Sequence, residues 1–370
     1  MPTFIALAAA AFLSTLVMRM TDPVLPILVT EFQVGPTEIA WLATAYAIPY
    51  GLFQLVFGPL GDRFGKLRIV RLCVVGLGVS LVATALAPGY GSMLAARFFS
   101  GAIGGAIIPV GIAALGDRIA LEKRQAALSR FMLAVIAGTF SGGFITGLLA
   151  EALPWRTIFL IYAATTMAIG LSMFALPRSG KTVPVDLSPR GFYERYRAIL
   201  RKRGAPVLLI LVFCEGALMF GALPYLSIYF HDQRGFSYGT IGAVLACFGL
   251  GGVLYSAIVT QAIGRLGPYR LFALMAIIAG LANAALALAL PPQLYALAWA
   301  AAGLGFYGAH NVLQVRGTEL APEARGSSIA SFAFSFFIGQ AFGPILIGWL
   351  IEAFALPAAF IAVGALLIAF

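Results

Sequence analysis

Apolar stretches long enough to cross a bilayer recur along almost the whole chain, and this pattern restricts the possible fold more than any motif within it. A helix needs about 20 residues to span the hydrocarbon core. Such stretches lie near 4–29, 39–60, 69–88, 92–115, 126–150 and 155–176, then near 205–230, 239–262, 270–290, 294–316, 326–351 and 356–370; they are numbered helices 1 to 12. With 61% hydrophobic and 10% charged residues, and a strongly positive mean hydropathy, the composition lies outside that of soluble domains of this length. The expected class is an all-α integral membrane protein with 12 transmembrane helices. Helix 12 is short and ends without a tail, as it would in a chain cut inside or just after it. The first apolar run lacks a basic leader and is too long for a secretory signal's core, so it reads as a permanent span.

Charge placement orients the bundle, because Lys and Arg are retained on the cytoplasmic side. With both termini inside, 20 of the 24 Lys and Arg fall in or beside the even-numbered connections. Arg156 and Arg234 lie outside, and Arg19 and Arg97 lie within spans. The net charge of +10 is therefore mainly a topological signal, and the expected location is a cell membrane of bacterial inner-membrane type. The basic connection carrying Arg178, Lys181, Arg190, Arg195, Arg197, Arg201, Lys202 and Arg203 also suits anionic lipid headgroups. Nucleic acid is not an expected partner. Cys73, Cys214 and Cys247 fall inside spans and the histidines His231 and His310 are far apart, so neither a disulfide framework nor a metal cluster is indicated. No G-x-x-x-x-G-K-[ST] loop is present, so no nucleotide and no other cofactor is expected, and an ion gradient should supply the energy.

Residues 177–204 interrupt the pattern with prolines, charges and an expected surface helix, dividing the chain into six-helix bundles at 1–176 and 205–370. Sliding one half over the other by 201 positions places 116–151 on 317–352. Glu122, Arg124, Phe131, Gly138, Gly142, Gly147 and Glu151 then coincide with Glu323, Arg325, Phe332, Gly339, Gly343, Gly348 and Glu352. A shift of 202 puts Arg63, Gly65 and Arg68 on Arg265, Gly267 and Arg270, with Gly264 in the place of Asp62. The two bundles read as repeats, the second basic turn being a degenerate copy of the first.

The first basic turn is Gly58-Pro59-Leu60-Gly61-Asp62-Arg63-Phe64-Gly65-Lys66-Leu67-Arg68. It resembles the loop 2–3 signature of the major facilitator superfamily, roughly G-x-L-x-D-R-x-G-R-R. That resemblance implies a transporter and not an enzyme, with two six-helix repeats, a midplane substrate cavity and alternating access by rocking. It also implies that Gly58, Asp62, Arg63, Gly65, Lys66 and Arg68 form a cytoplasmic latch of the outward-facing state. Asp62 is expected near the N-terminus of a neighbouring helix, where the macrodipole favours negative charge. The competing reading is that these residues only enforce topology.

Charges within spans cost about 2.5–3.5 kcal/mol each at the bilayer centre and need a partner or a wet cavity. Arg19 and Asp22 share a face of helix 1, followed by Pro23 and Pro26, which loosen the helix. Arg97 lies in helix 4 and Glu215 in helix 7. Burial disfavours a charged carboxylate and a nearby arginine favours it, so a group whose partner changes during rocking takes up and releases a proton. Glu215 is the leading proton carrier, with Asp22, Arg19 and Arg97 as its coupling group. The alternatives are that Glu215 is a fixed partner of Arg19 or Arg97, or a packing residue. Arg97, followed by Ser100, Gly101, Gly104 and Gly105, is similar to the superfamily's helix 4 pattern, which implies assistance to proton transfer.

The superfamily's antiporter signature in helix 5 expects a Gly-Pro step where this chain has Gly142-Gly143. Gly138, Gly142 and Gly147 keep part of the spacing, and the proline occurs in the related helix 11, in Gly339, Gly343 and Pro344. Tight packing is the simpler reading of these glycines, gating the other. Cavity candidates are Tyr46, Tyr50 and Gln54 on one face of helix 2, Tyr225 in helix 7, Asn283 in helix 9, His310, Asn311 and Gln314 in helix 10, and Gln340 in helix 11. The whole chain resembles the twelve-helix drug/proton antiporter and sugar-efflux-like branch. The implied function is proton-coupled efflux of a drug-like or amphipathic small molecule by a monomer. Proton-driven uptake of a metabolite or lipid precursor is the alternative, and a multispan membrane enzyme or receptor a distant one.

Overall fold

The structure, a computed structural model, describes residues 2–119, 121–177, 188–321 and 325–370. The protein is helical throughout these residues, with no strand among them. Helix 1 has two pieces, Pro2–Arg19 and Leu25–Phe32, joined by the 3-10 turn Asp22–Val24. The single turn Pro36–Ile39 leads into helix 2, Trp41–Phe64, and helix 3 is Lys66–Ala85. Helix 4 is divided into Tyr90–Gly104 and Ile107–Gly116, helix 5 is Leu121–Ala150 and helix 6 Trp155–Ser172. A surface helix, Pro189–Leu200, precedes helix 7, which is divided into Ala205–Phe220 and Leu223–Ile228. Helices 8 and 9 share Tyr238–Ala285, and helices 10, 11 and 12 are Pro292–Glu319, Arg325–Phe354 and Leu356–Ala369.

The breaks have covalent causes. Proline offers no N–H to the carbonyl four residues earlier, so Pro23, Pro109 and Pro224 release the carbonyls of Arg19, Gly105 and Phe220. Helices 1, 4 and 7 are therefore discontinuous at mid-length, where a substrate cavity can form. Helices 8 and 9 part at Gly267, whose φ of 70° is foreign to a helix and which Pro268 follows. Its repeat partner Gly65 has φ 94° between helices 2 and 3. A left-handed backbone suits glycine because no Cβ collides, so the degenerate second turn preserves the residue that the geometry requires.

Arg178 and Lys181 of the basic connection lie outside the described residues. Where the connection re-emerges, Ser188 caps the surface helix by accepting from the Gly191 N–H at 3.1 Å. Tyr196 donates to the Leu55 carbonyl at 3.0 Å, pinning this helix against helix 2. Burial pushes the Tyr196 hydroxyl up to about 12, against the opposing pull of Arg195, so it stays a neutral donor.

Each half has its own apolar core, one built almost wholly from helices 1–6 and the other from helices 7–12. Repeat-related glycines make repeat-related contacts. A Cβ on Gly138 or Gly142 would strike the Phe12 or Leu16 carbonyl of helix 1, and one on Gly339 or Gly343 the Phe213 or Ala217 carbonyl of helix 7. One turn further, Gly147 lies against the Tyr238 carbonyl of helix 8, and Gly348 against the Tyr225 hydroxyl and the Thr37 methyl. Helices 5 and 11 thus pack first within their own half and then across to helices 8 and 2 of the other.

On the face opposite the basic loops, the halves are fastened twice. Glu151 Oε1 at the end of helix 5 accepts from the Gly239 N–H in the first turn of helix 8, at 2.6 Å. Glu352 Oε1 at the end of helix 11 accepts from the Thr37 hydroxyl at 3.2 Å, in the turn entering helix 2. The two glutamates are one repeat apart, as are Thr37 and Gly239. Both carboxylates sit at helix starts, each contact contributing about 0.3–1 kcal/mol when exposed. In a background lacking Cys73, Cys214 and Cys247, the Glu151→Ala/Glu352→Ala double variant should raise maleimide labelling of Ala40→Cys, which is buried beside this seam, by about fivefold. An unchanged labelling rate would show that the carboxylates do not hold the seam.

Candidate functional site

The break in helix 1 leaves the last carbonyls of Pro2–Arg19 without helical partners, and a helix C-terminus favours a cation. Arg97, 1% exposed, supplies that cation from helix 4. It donates to the Val17 carbonyl at 3.2 Å and reaches the Met18 carbonyl at 3.5 Å. Asp22 opens the next short helical piece, where the dipole favours an anion, and lies 3.8 Å from Arg19. The guanidinium carbons of Arg97 and Arg19 sit 4.3 Å and 4.7 Å from the ring centroids of Tyr46 and Phe220.

These charges border a cavity with two lobes. The smaller lobe is lined by Tyr46, Arg97, Gln340, Arg19 and Asp22, with apolar residues of helices 2 and 7. The larger lobe shares Arg19, Asp22 and Phe220 and is walled by Phe140, Phe248, Trp299 and Tyr307. It spans both halves, with walls from helices 1, 5, 7, 8 and 10. Its aromatic wall eluded the sequence reading, because an aromatic residue in an apolar run looks alike whether it faces lipid, core or cavity.

Glu215 and His310 meet in the second half, with His310 Nδ1 2.8 Å from Glu215 Oε2. Glu215 is 2% exposed, and its Oε1 has no hydrogen-bond partner. Phe306, Phe332 and Phe336 surround the imidazole, with ring centroids 5.1, 5.2 and 4.9 Å away. The alternative in which Glu215 is a fixed partner of Arg19 or Arg97 is corrected: its partner is His310. Residues 215 and 310 are too far apart in sequence for any local spacing to have revealed the pair.

Of the proposed cavity residues, Tyr46 and Gln340 line the cavity, whereas several others belong to the packing around it. Tyr50 is wedged between Tyr46 and Phe337, at centroid distances of 5.6 and 4.4 Å, and Gln54 is buried one turn along. Tyr225 donates to the Pro344 carbonyl at 2.8 Å beneath the outer seam. Asn283 donates to the Ala279 carbonyl of its own helix at 2.9 Å, and Asn311 accepts from Tyr255 at 3.1 Å between helices 8 and 10. Gln314 is exposed. Four-residue spacing correctly placed Tyr46, Tyr50 and Gln54 on one face, but that face is too long for the cavity to reach all three.

In the basic turn, Lys66 Nζ lies 2.6 Å from Asp117 Oδ2 and 3.2 Å from Asp62 Oδ1, tying the ends of helices 2 and 4 to the start of helix 3. Asp62 is thereby paired with the side chain of the first residue of helix 3. Gly58 and Gly65 have open space where a Cβ would project, and Arg63 stacks on Phe64 at 5.4 Å.

The family model described as Major Facilitator Superfamily matches residues 7–326. The chain belongs to the major facilitator superfamily. It is 26% identical over 295 residues to "Efflux pump radE" of Floropilus chiversii, covering 70% of this chain but only 53% of that protein. It is 25% identical over 340 residues to "Uncharacterized MFS-type transporter YceJ" of Bacillus subtilis, covering 90% and 84%. A 154-residue match at 28% identity to "Multi-drug resistance efflux pump PmrA" of Streptococcus pneumoniae covers 40% of this chain and 38% of that one. Thus the chain spans about half the length of the first of these relatives and most of the second. Among solved structures, nucleoside transporter NupG superposes with a TM-score of 0.80 at 14% identity, covering 100% and 97% of the two chains. A bacterial homologue of the lysosomal transporter Spinster gives 0.72 at 17%, covering 99% and 93%. At such identities the likeness concerns the twelve-helix fold, which this superfamily member shares.

Within this major facilitator fold, Arg97 binds two pieces of the bundle through charge. Arg97→Met strands the Val17 and Met18 carbonyls and removes a cation near Asp22, so it should lower unfolding free energy in detergent by about 3–5 kcal/mol. Arg97→Lys should lose less. Equal stability of Arg97→Met and wild type would contradict the anchoring role.

Proposed function

We propose that this major facilitator is a proton-coupled exporter of amphipathic small molecules, with the Glu215–His310 pair as its proton site. The observation carrying this reading is that pair: a carboxylate and an imidazole in hydrogen-bond contact, set among phenylalanines in the second half, away from the Arg19–Asp22–Arg97 cluster of the first. Proton and cargo then have separate sites, and the rocking of the halves couples them. The names of two relatives, an efflux pump and a multidrug resistance efflux pump, support export as the direction.

With one proton the pair carries no net charge, wherever between the two side chains that proton lies; without it the pair carries −1. An apolar, dry pocket favours the neutral pair, and the charged pair requires water. Loading the proton accompanies closure around Glu215 and His310, and release accompanies their wetting. The halves rock across the seams between helices 5 and 8 and between helices 2 and 11, presenting the cavity to one side at a time. The basic loops mark the cytoplasmic side, where the Asp62–Lys66–Asp117 cluster acts as the latch and the surface helix rests on anionic headgroups.

In energised everted vesicles challenged with cationic drugs, sugars, amino acids and organic anions, at least one compound should collapse the pH gradient with wild type and leave it intact with Glu215→Gln. Equal collapse by both proteins would remove Glu215 as the carrier. Substrate uptake with proton entry in right-side-out vesicles would replace export with symport.

A further inference from the structure

We infer that the smaller lobe of the cavity is an oxyanion site and that the cargo is an organic anion carrying an aromatic body. This deepens the exporter reading and rests on its placing cargo in the central cavity. Three polar atoms there are buried without a hydrogen-bond partner: Arg97 Nε, the Tyr46 hydroxyl oxygen and Gln340 Nε2. Their residues are 1%, 2% and 7% exposed, come from helices 4, 2 and 11, and line the same lobe. Each group is a hydrogen-bond donor, the guanidinium and the amide nitrogen being donors only. Buried donors are ordinarily satisfied, and these three, on residues that line one lobe, gain partners from a single group rich in acceptors seated there.

Charge points the same way. Arg19 and Arg97 face one carboxylate, Asp22, so the lobe holds a net positive charge with only one counter-ion in it. The Arg19–Asp22 separation of 3.8 Å exceeds hydrogen-bond distance, and the two terminal nitrogens of Arg97 each give one N–H to a helix 1 carbonyl. Its Nε–H has no partner and remains to meet a ligand. A carboxylate or comparable oxyanion supplies the missing charge and several acceptors at once. A cation would meet Asp22 but add to the net positive charge and leave all three donors open. The adjoining aromatic lobe, with Trp299 and Tyr307 in its wall, shares Arg19, Asp22 and Phe220 with this site. It accepts a planar apolar body attached to the anionic head.

The test is calorimetric binding to the purified full chain in detergent, with three probes sharing one ring system: 1-naphthylacetate, its neutral amide, and 2-(1-naphthyl)ethylamine. The acetate should bind at least about tenfold more tightly than the amide, with the amine weakest. Tyr46→Phe and Gln340→Met should each weaken the acetate about three- to tenfold and leave the amide unchanged. Tyr46→Phe should not lower the melting temperature, because it removes only an oxygen that has no partner in the empty protein. A merely structural role would move stability and spare the preference for the acetate. Equal binding of the three probes, tightest binding of the amine with its loss in Asp22→Asn, or no binding by any of them would overturn the oxyanion site. An acetate preference without pH-gradient collapse in vesicles would remove proton exchange and leave the site standing; collapse by cationic or neutral compounds alone would do the reverse.

Discussion

An arginine buried to 1% inside a membrane protein must be paired, and Arg97 is paired with the end of a broken helix. Pro23 stops helix 1, and the carbonyls left exposed at its end collect the guanidinium from helix 4. The same break presents Arg19 and Asp22 to the cavity and starts a second helical piece at the carboxylate. Had helix 1 run through without interruption, those carbonyls would be engaged within it, and Arg97 would lack a binding site. The position of the cavity, its charge and its contact with helices 2 and 4 all follow from that one interruption.

Around this fixed point the two halves behave as copies. Glycines at 138, 142 and 147 and at 339 and 343 bring helices 5 and 11 against backbone, and Gly348 lies against the Tyr225 and Thr37 side chains. Small residues of this kind let neighbouring helices approach closely. The glutamates at the ends of the same helices complete the pattern, each meeting the start of a helix in the opposite half. The functional groups break the symmetry: the arginine cluster belongs to one half and the carboxylate–imidazole pair to the other.

What the sequence discloses is whatever is periodic or local. The helical spans, the basic turns and the break after Arg19 depend on residues close along the chain, and the structure has them where they were expected; the breaks at Pro109 and Pro224 were not anticipated. Glu215 stood out because an ionised group in an apolar run is costly, but its partner His310 lies in a helix three spans away, and only packing brings them together. Asn283 and Asn311 were conspicuous for the same reason as Gln340, yet they satisfy helix and interhelical hydrogen bonds, a difference that depends on which way a helix faces. The aromatic wall of Phe140, Phe248, Trp299 and Tyr307 carried no signal at all against so apolar a background. Glu151 and Glu352 were visible as a repeated pair; their partners Thr37 and Gly239 are also one repeat apart, a coincidence that could have disclosed the seam.

The central claim is that the halves rock reciprocally and that the proton on Glu215 biases the rocking. Spin labels at Phe64 and Tyr269 report the basic side, and labels at Gly91 and Gln293 the opposite side, all at exposed positions on different halves. Double electron–electron resonance in nanodiscs, at acidic and alkaline pH in a cysteine-free background, measures both separations. The account predicts that one separation lengthens as the other shortens when pH changes, and that Glu215→Gln holds a single distribution at both pH values. Wild-type separations that ignore pH, or a Glu215→Gln variant that responds as wild type does, would contradict it.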